Sequence, residues 1–177
     1  MRFTYCPDCG SLLSHRDLGD EKDVPWCDVC NKPFFPVFPV ATISLVHNER
    51  GEVLLLRQKY ISTTFRNLVS GYMVPGEDAA TCAKREIMEE TGLAVKKLEL
   101  IRTDWFDKSK VLMIGFFAEV DTRDPGNVHD ASRVDGLRLS VEVDDADWFD
   151  PHEILNHLST YPGSTSRRLA EEYLRRL

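Results

Sequence analysis

No stretch of this 177-residue chain is long and apolar enough to suggest a membrane span. The longest apolar run, Val111 to Ala118, falls far short of the roughly 20 residues a membrane helix needs. The opening MRFTYCPDCG carries no apolar core of an export signal, so the cytoplasm is the expected location. Positive charge is outnumbered. Against 29 Asp and Glu stand 22 Lys and Arg, a net charge of −7, and an electrostatic footprint for a nucleic-acid backbone is missing. No internal repeat is evident, and the length suits one substantial core with a small appended module.

Cysteine is sparse, with five residues, but four of them are paired. Cys6 and Cys9 stand in CPDCG, and Cys27 and Cys30 in CDVCN, with residues 10–26 between the pairs. Two CxxC knuckles at this separation can set four thiolates tetrahedrally around Zn²⁺. Two disulfides are disfavoured in a reducing compartment, and a redox dithiol needs only one CxxC. Four cysteine ligands leave no open position, so the zinc is expected to be structural. Residues 1–36 are expected to form this zinc ribbon and residues 37–177 a second domain. The ribbon is too short for a core of its own, so the metal is expected to supply much of its folding energy. Its four basic residues, Arg2, Arg16, Lys22 and Lys32, face six acidic ones, which makes DNA binding an unexpected role. His15 reads as a loop residue rather than a ligand, and Cys82 as a small core thiol without a chemical role.

From Gly71 to Leu93 the chain reads GYMVPGEDAATCAKREIMEETGL. A helix opened by Asp78 or Thr81 and closed by Gly92 places Glu86, Glu89 and Glu90 at i, i+3 and i+4, so their carboxylates converge on one side. Like charges at these spacings cost a few tenths of a kcal/mol per pair, which a bound cation offsets. Hard carboxylate oxygens suit Mg²⁺ or Mn²⁺, ions that keep positions open for water and substrate phosphate. A solvated acidic face is the plainer alternative. Against it stands the turn-rich approach through Gly71, Pro75 and Gly76, where backbone can come close to phosphate. Arg85 can pair with Glu89 one turn on, and with Glu77 if the loop folds back.

The same residues carry a specific resemblance. Gly71, Glu77, Arg85, Glu86, Ile87, Glu89, Glu90, Gly92 and Leu93 match every fixed position of the Nudix box, GX5EX7REUXEEXGU with U aliphatic. The resemblance implies an α/β fold, an α/β/α sandwich with a mixed sheet. It also implies metal-dependent hydrolysis of a nucleoside diphosphate derivative by water attack on phosphorus. Glu86 and Glu90 match the usual metal ligands of that family, and Glu89 is a further ligand or the base. A ribbon followed directly by this domain resembles the NADH pyrophosphatases, also known as NAD-cap-removing enzymes. Phe35 and Pro36 resemble that group's connector. Glu142 to Trp148 resembles its E-x-x-E-A-x-W stretch, which makes Glu142 a further candidate ligand. Pro162, Gly163 and Arg167 to Ala170 resemble its C-terminal helix, and a homodimer is implied.

What the phosphates are attached to is less well marked. The SQPWPFP-type array that accompanies nicotinamide dinucleotide recognition is replaced here by Thr103 to Val111. NADH or NAD, ADP-ribose and nucleotide sugars are the leading substrates. A triphosphate pyrophosphatase and a non-catalytic nucleotide sensor using the ribbon for partner contacts are the alternatives. Gly71, Trp105, Phe106 and Arg57 are candidate substrate contacts, the aromatics by stacking on a base, although a place in the core suits Trp105 and Phe106 equally. The acidic loop 121–136 lines a pocket or is a tolerated insertion. Strands are expected at Val40–His47, Val53–Gln58, Asn67–Val74, Leu98–Thr103, Val111–Val120 and Arg138–Val143. Helices are expected at Pro151–Leu158 and Ser166–Leu177, the last with Glu171–Arg175 and Glu172–Arg176 pairs.

Overall fold

A computed structural model describes residues 3–124, 126 and 137–177. Most of the loop 121–136 therefore lies outside the described residues. The chain divides into two compact units, Met1–Phe38 and Pro39–Leu177.

The first unit is a three-stranded antiparallel sheet of β1 (Ser14–Leu18), β2 (Glu21–Cys27) and β3 (Lys32–Pro33). His15 lies in β1, paired with Pro25, rather than in a loop. Its apolar core is small: Cys6, Leu13 and Cys27, with Phe3, Cys30 and Phe34 packed against them. The first knuckle closes where the Gly10 N–H donates to the Cys6 carbonyl at 2.9 Å, with Gly10 at φ 74°, a conformation that favours glycine. In the second, the Cys30 N–H donates to Cys27 Sγ at 3.3 Å.

In the second unit, apolar runs become strands. β4 (Val40–His47), β5 (Val53–Arg57), β6 (Val69–Tyr72), β7 (Lys97–Phe106), β8 (Val111–Glu119) and β9 (Asp145–Phe149) form one sheet. Its order is β7-β8-β4-β5-β9, with β6 also on β4. Only β4 and β8 run parallel, so the sheet is mixed. β8, almost wholly apolar, is central as its composition suggests. Asn48 shapes the β4–β5 hairpin by accepting from the Arg50 and Glu52 N–H groups on Oδ1, both at 3.0 Å.

Side-chain alternation gives the sheet two apolar faces. Ile87 of α1 (Ala79–Thr91) packs on one with Val46, Leu54, Leu56, Val69 and Ala118. On the other, Ile154 of α2 (Ile154–His157) and Leu169, Ala170 and Tyr173 of α3 (Thr165–Leu174) meet Ile43, Leu45, Leu55 and Met113. The result is the α/β/α sandwich expected. In the last helix, Leu169 and Tyr173 are buried, and the helix ends at Leu174, short of the expected Leu177, which is exposed. Arg176 pairs with Glu172 as expected, but Glu171 pairs back to Arg167 at 3.2 Å, not with Arg175.

One strand is displaced from its expected place. Arg138–Val143 is irregular, because two of its N–H groups are taken by the end of α1: Arg138 donates to the Thr91 carbonyl at 2.9 Å and Ser140 to the Glu90 carbonyl at 3.3 Å. These carbonyls have no partner within the helix itself. The strand forms just after, at β9, where Asp145 to Phe149 pair with Arg57 to Val53.

Candidate active site

The helix α1 begins and ends on specific residues. Asp78 is the N-cap, its carboxylate accepting from the Thr81 N–H at 2.7 Å. Gly92 closes the helix at φ 75°, with its N–H on the Met88 carbonyl. Between them Arg85 gathers the box. Its Nε and Nη2 grip both oxygens of Glu77 at 3.1 and 2.8 Å, and Nη2 also reaches the Tyr72 carbonyl. Nη1 donates to Glu86 at 2.7 Å and to Glu89 at 2.9 Å. The guanidinium holds the Glu77 carboxyl at about 2. The Glu77 carboxylate in turn accepts from the Val74 N–H at 2.8 Å, closing the loop onto the helix.

Glu86 lies directly over Gly71 of β6. A Cβ on Gly71 would stand 1.9 Å from the Glu86 carboxyl carbon, so this strand position admits no side chain while Glu86 keeps its place. Burial raises the Glu86 carboxyl above its ordinary range. Glu90 goes deeper, at 4% exposure. One oxygen, Oε1, accepts from Gln58 Nε2 at 2.7 Å, while Oε2 is buried with no partner. Burial, with the charges of Glu86 and Glu142 added, raises Glu90 to about 7. Glu142 sits exposed on the turn that follows the α1-capping segment, and this places its charge where Glu90 feels it.

The other candidates fall in four places. Glu89 is exposed and turned to Arg85, so the helical edge divides: Glu86 and Glu90 face inward while Glu89 stands at the rim. Phe106 packs against the core on the α3 face, edge to face with Tyr161 at 6.4 Å, and so does not reach the carboxylates beneath α1. Trp105 alternates to the α1 face and is 46% exposed. Arg57 ends β5 and donates to the Thr63 carbonyl at 3.4 Å. Gln58 went unnoticed in the sequence. The signal that finds it is the alternation Leu54, Leu56, Gln58, which turns its side chain toward α1.

An unpartnered buried carboxylate oxygen that feels the charges of two further carboxylates is hard-oxygen chemistry that suits a divalent cation, and the oxygens of Glu86, Glu90 and Glu142 do not converge as a set within 4.8 Å. Among the described residues, only the four paired cysteines bring three or more potential ligand atoms within 4.8 Å of one another. Their Sγ atoms approach to 3.9 Å for Cys6 and Cys30 and to 3.5 Å for Cys9 and Cys27. Tetrahedral zinc with Zn–S near 2.3 Å sets the sulfurs about 3.8 Å apart, which these cysteines fit. All are free thiols. Hydrogen bonds from Ser11 lower Cys9 to about 6, while contact with Cys9 pushes Cys30 up to about 12.

Comparison with known proteins agrees with this geometry. The chain is 29% identical over 175 residues to the NAD-capped RNA hydrolase NPY1 of Saccharomyces cerevisiae, covering 92% of this chain and 44% of that one. It is 29% identical over 171 residues to the NAD-capped RNA hydrolase NudC of Stutzerimonas stutzeri, covering 96% and 54%. It thus spans about half the length of these relatives. A Nudix hydrolase structure from Nitrosomonas europaea superposes with a TM-score of 0.65 at 19% identity, over 98% of this chain and 93% of that one. The NUDIX domain model matches residues 37–169, and the chain belongs to the NUDIX domain family.

Proposed function

We propose that this protein is a divalent-cation-dependent pyrophosphohydrolase that cleaves the phosphoanhydride of a nucleoside diphosphate derivative, with NADH or NAD as the preferred class ahead of ADP-ribose and nucleotide sugars. The observation that carries the reading is Glu90: buried, held by one oxygen, with the other oxygen unpartnered and the charges of Glu86 and Glu142 acting on the group. The names of the relatives support the dinucleotide class. Glu86, Glu90 and Glu142 are the residues that would hold Mg²⁺ or Mn²⁺. Such an ion, when bound, neutralises charge on the phosphoryl oxygens and lowers the pKa of water. Glu89, exposed at the rim, takes the proton of the attacking water. Arg85 keeps Glu86 and Glu89 in register and fixes Glu77 in the loop, so the carboxylates are set before substrate arrives. Gly71 leaves the space in which Glu86 lies.

Cys6, Cys9, Cys27 and Cys30 hold a structural Zn²⁺ in this reading, since four cysteines leave no position for substrate. The protein works in the cytoplasm as a homodimer. Light scattering at the 20.2 kDa of one chain would refute the dimer. Among the described residues no helix is long and apolar enough to cross a membrane.

The test incubates the protein and a Glu90→Gln variant with NADH, NAD, ADP-ribose, nucleotide sugars and nucleoside triphosphates, with Mg²⁺ or Mn²⁺. Glu90-dependent release of two mononucleotides from the dinucleotides is expected. Turnover confined to triphosphates would establish the triphosphate pyrophosphatase instead. Binding without turnover of any of these compounds would favour a sensor.

A further inference from the structure

Gln58 is the one fully buried amide side chain beside the carboxylates. It follows Leu54 and Leu56 on the α1-facing side of the sheet, where a leucine or methionine would fill the space at no polar cost. Its side chain instead makes two polar contacts. Nε2 donates to Glu90 Oε1 at 2.7 Å and lies 3.4 Å from the hydroxyl of Tyr60, a residue 68% exposed. Its backbone carbonyl accepts from the Ile61 and Ser62 N–H groups at 2.9 and 3.0 Å, so the same residue shapes the turn that carries Tyr60.

Two buried oxygens in this cluster lack partners, Gln58 Oε1 and Glu90 Oε2. Each is an acceptor able to take a cation or a donor. The terminal torsion of a glutamate is broad, so the carboxylate plane of an unheld Glu90 would swing. A donor 2.7 Å from Oε1 removes that freedom. A hydrogen bond that orients a metal-binding group is tied closely to affinity, and losing one typically weakens metal binding about 10–100-fold.

We propose that Gln58 is a positioning residue for Glu90: its amide pins Oε1, keeps Oε2 turned toward a divalent cation, and ties the Tyr60 turn to the same point. This rests on the cation-dependent reading of the site. The test measures Mn²⁺ binding by electron paramagnetic resonance for the wild type, Glu90→Gln, Gln58→Met and Gln58→Asn, with a thermal melt of each. Gln58→Met keeps the volume without the amide, and Gln58→Asn withdraws the amide by one methylene. Both are expected to fold, to bind Mn²⁺ about 10–100-fold more weakly, and to regain most of the wild-type kcat when Mn²⁺ is raised to saturation. A packing defect would not be rescued by metal. Binding within about 2-fold of wild type in a folded Gln58→Met protein would overturn the proposal, as would failure of both variants to fold, which would make Gln58 a packing residue. A wild type that binds Mn²⁺ no better than Glu90→Gln would overturn the cation reading itself, and Gln58 with it.

Discussion

Replacing Glu90 by Gln is expected to stabilise the protein while destroying the proposed activity. The folded protein raises this carboxyl to about 7 from its ordinary 4.5, chiefly through burial. Between those two values the folded state keeps a proton that the unfolded chain has released, so stability falls as pH rises through the window. At about 1.4 kcal/mol per pH unit, the gap amounts to about 3 kcal/mol once the group is fully ionised. Gln58 can still donate to the amide oxygen of the new side chain, so little is lost in exchange. The variant should therefore melt about 6–12 °C higher than wild type at about pH 8, with the difference fading toward pH 4.5. The assay is a pair of melting series across pH without added Mg²⁺ or Mn²⁺. Adding Mn²⁺ should narrow the difference at high pH by stabilising only the wild type. A Glu90→Gln protein no more stable than wild type at high pH, or a gain independent of pH, would refute the reasoning.

Three further substitutions probe neighbouring parts of the site. Gly71→Ala places a methyl 1.9 Å from the Glu86 carboxyl carbon; kcat should fall about 10–100-fold with the melting temperature little changed, as steady-state kinetics and melting will show. Arg85→Lys keeps the charge but loses the fork that grips Glu77 and reaches Glu86 and Glu89; a lower melting temperature and a kcat loss of about 10²-fold are expected. Cys27→Ser should lower bound zinc from about one per chain to well below it and unfold the first unit, read by metal analysis and proteolysis.

Much of this was legible because local chemistry and final position coincide. The Asp78 cap, the Gly92 stop and the spacing of Glu86 and Glu90 are helix properties and survive into the fold unchanged. The cysteine knuckles are equally local. The misplaced strand shows where that reading ends. Arg138–Val143 alternates as a strand should, yet its donors serve the end of α1, and the later Asp145–Phe149 finds β5 instead. Tertiary partners decide between two adequate local patterns. Glu89 has the same helical spacing as its neighbours and shares Arg85 with Glu86, and only its exposure separates it from the inward pair. Phe106 and Trp105 are adjacent in sequence and opposite in the sheet, which no count of aromatics reveals. Gln58 looks like the polar end of a strand until alternation carries it under Glu90.

The central claim is that Glu90, with Glu86 and Glu142, holds a divalent ion that drives hydrolysis of a phosphoanhydride. Its most direct measurement is the rate of mononucleotide release from NADH by wild type and Glu90→Gln, with Mn²⁺ and after its removal. Release that needs both the ion and the Glu90 carboxylate, falling at least about 10³-fold when either is taken away, is the expected result. Release at the same rate from the Glu90→Gln protein would contradict it.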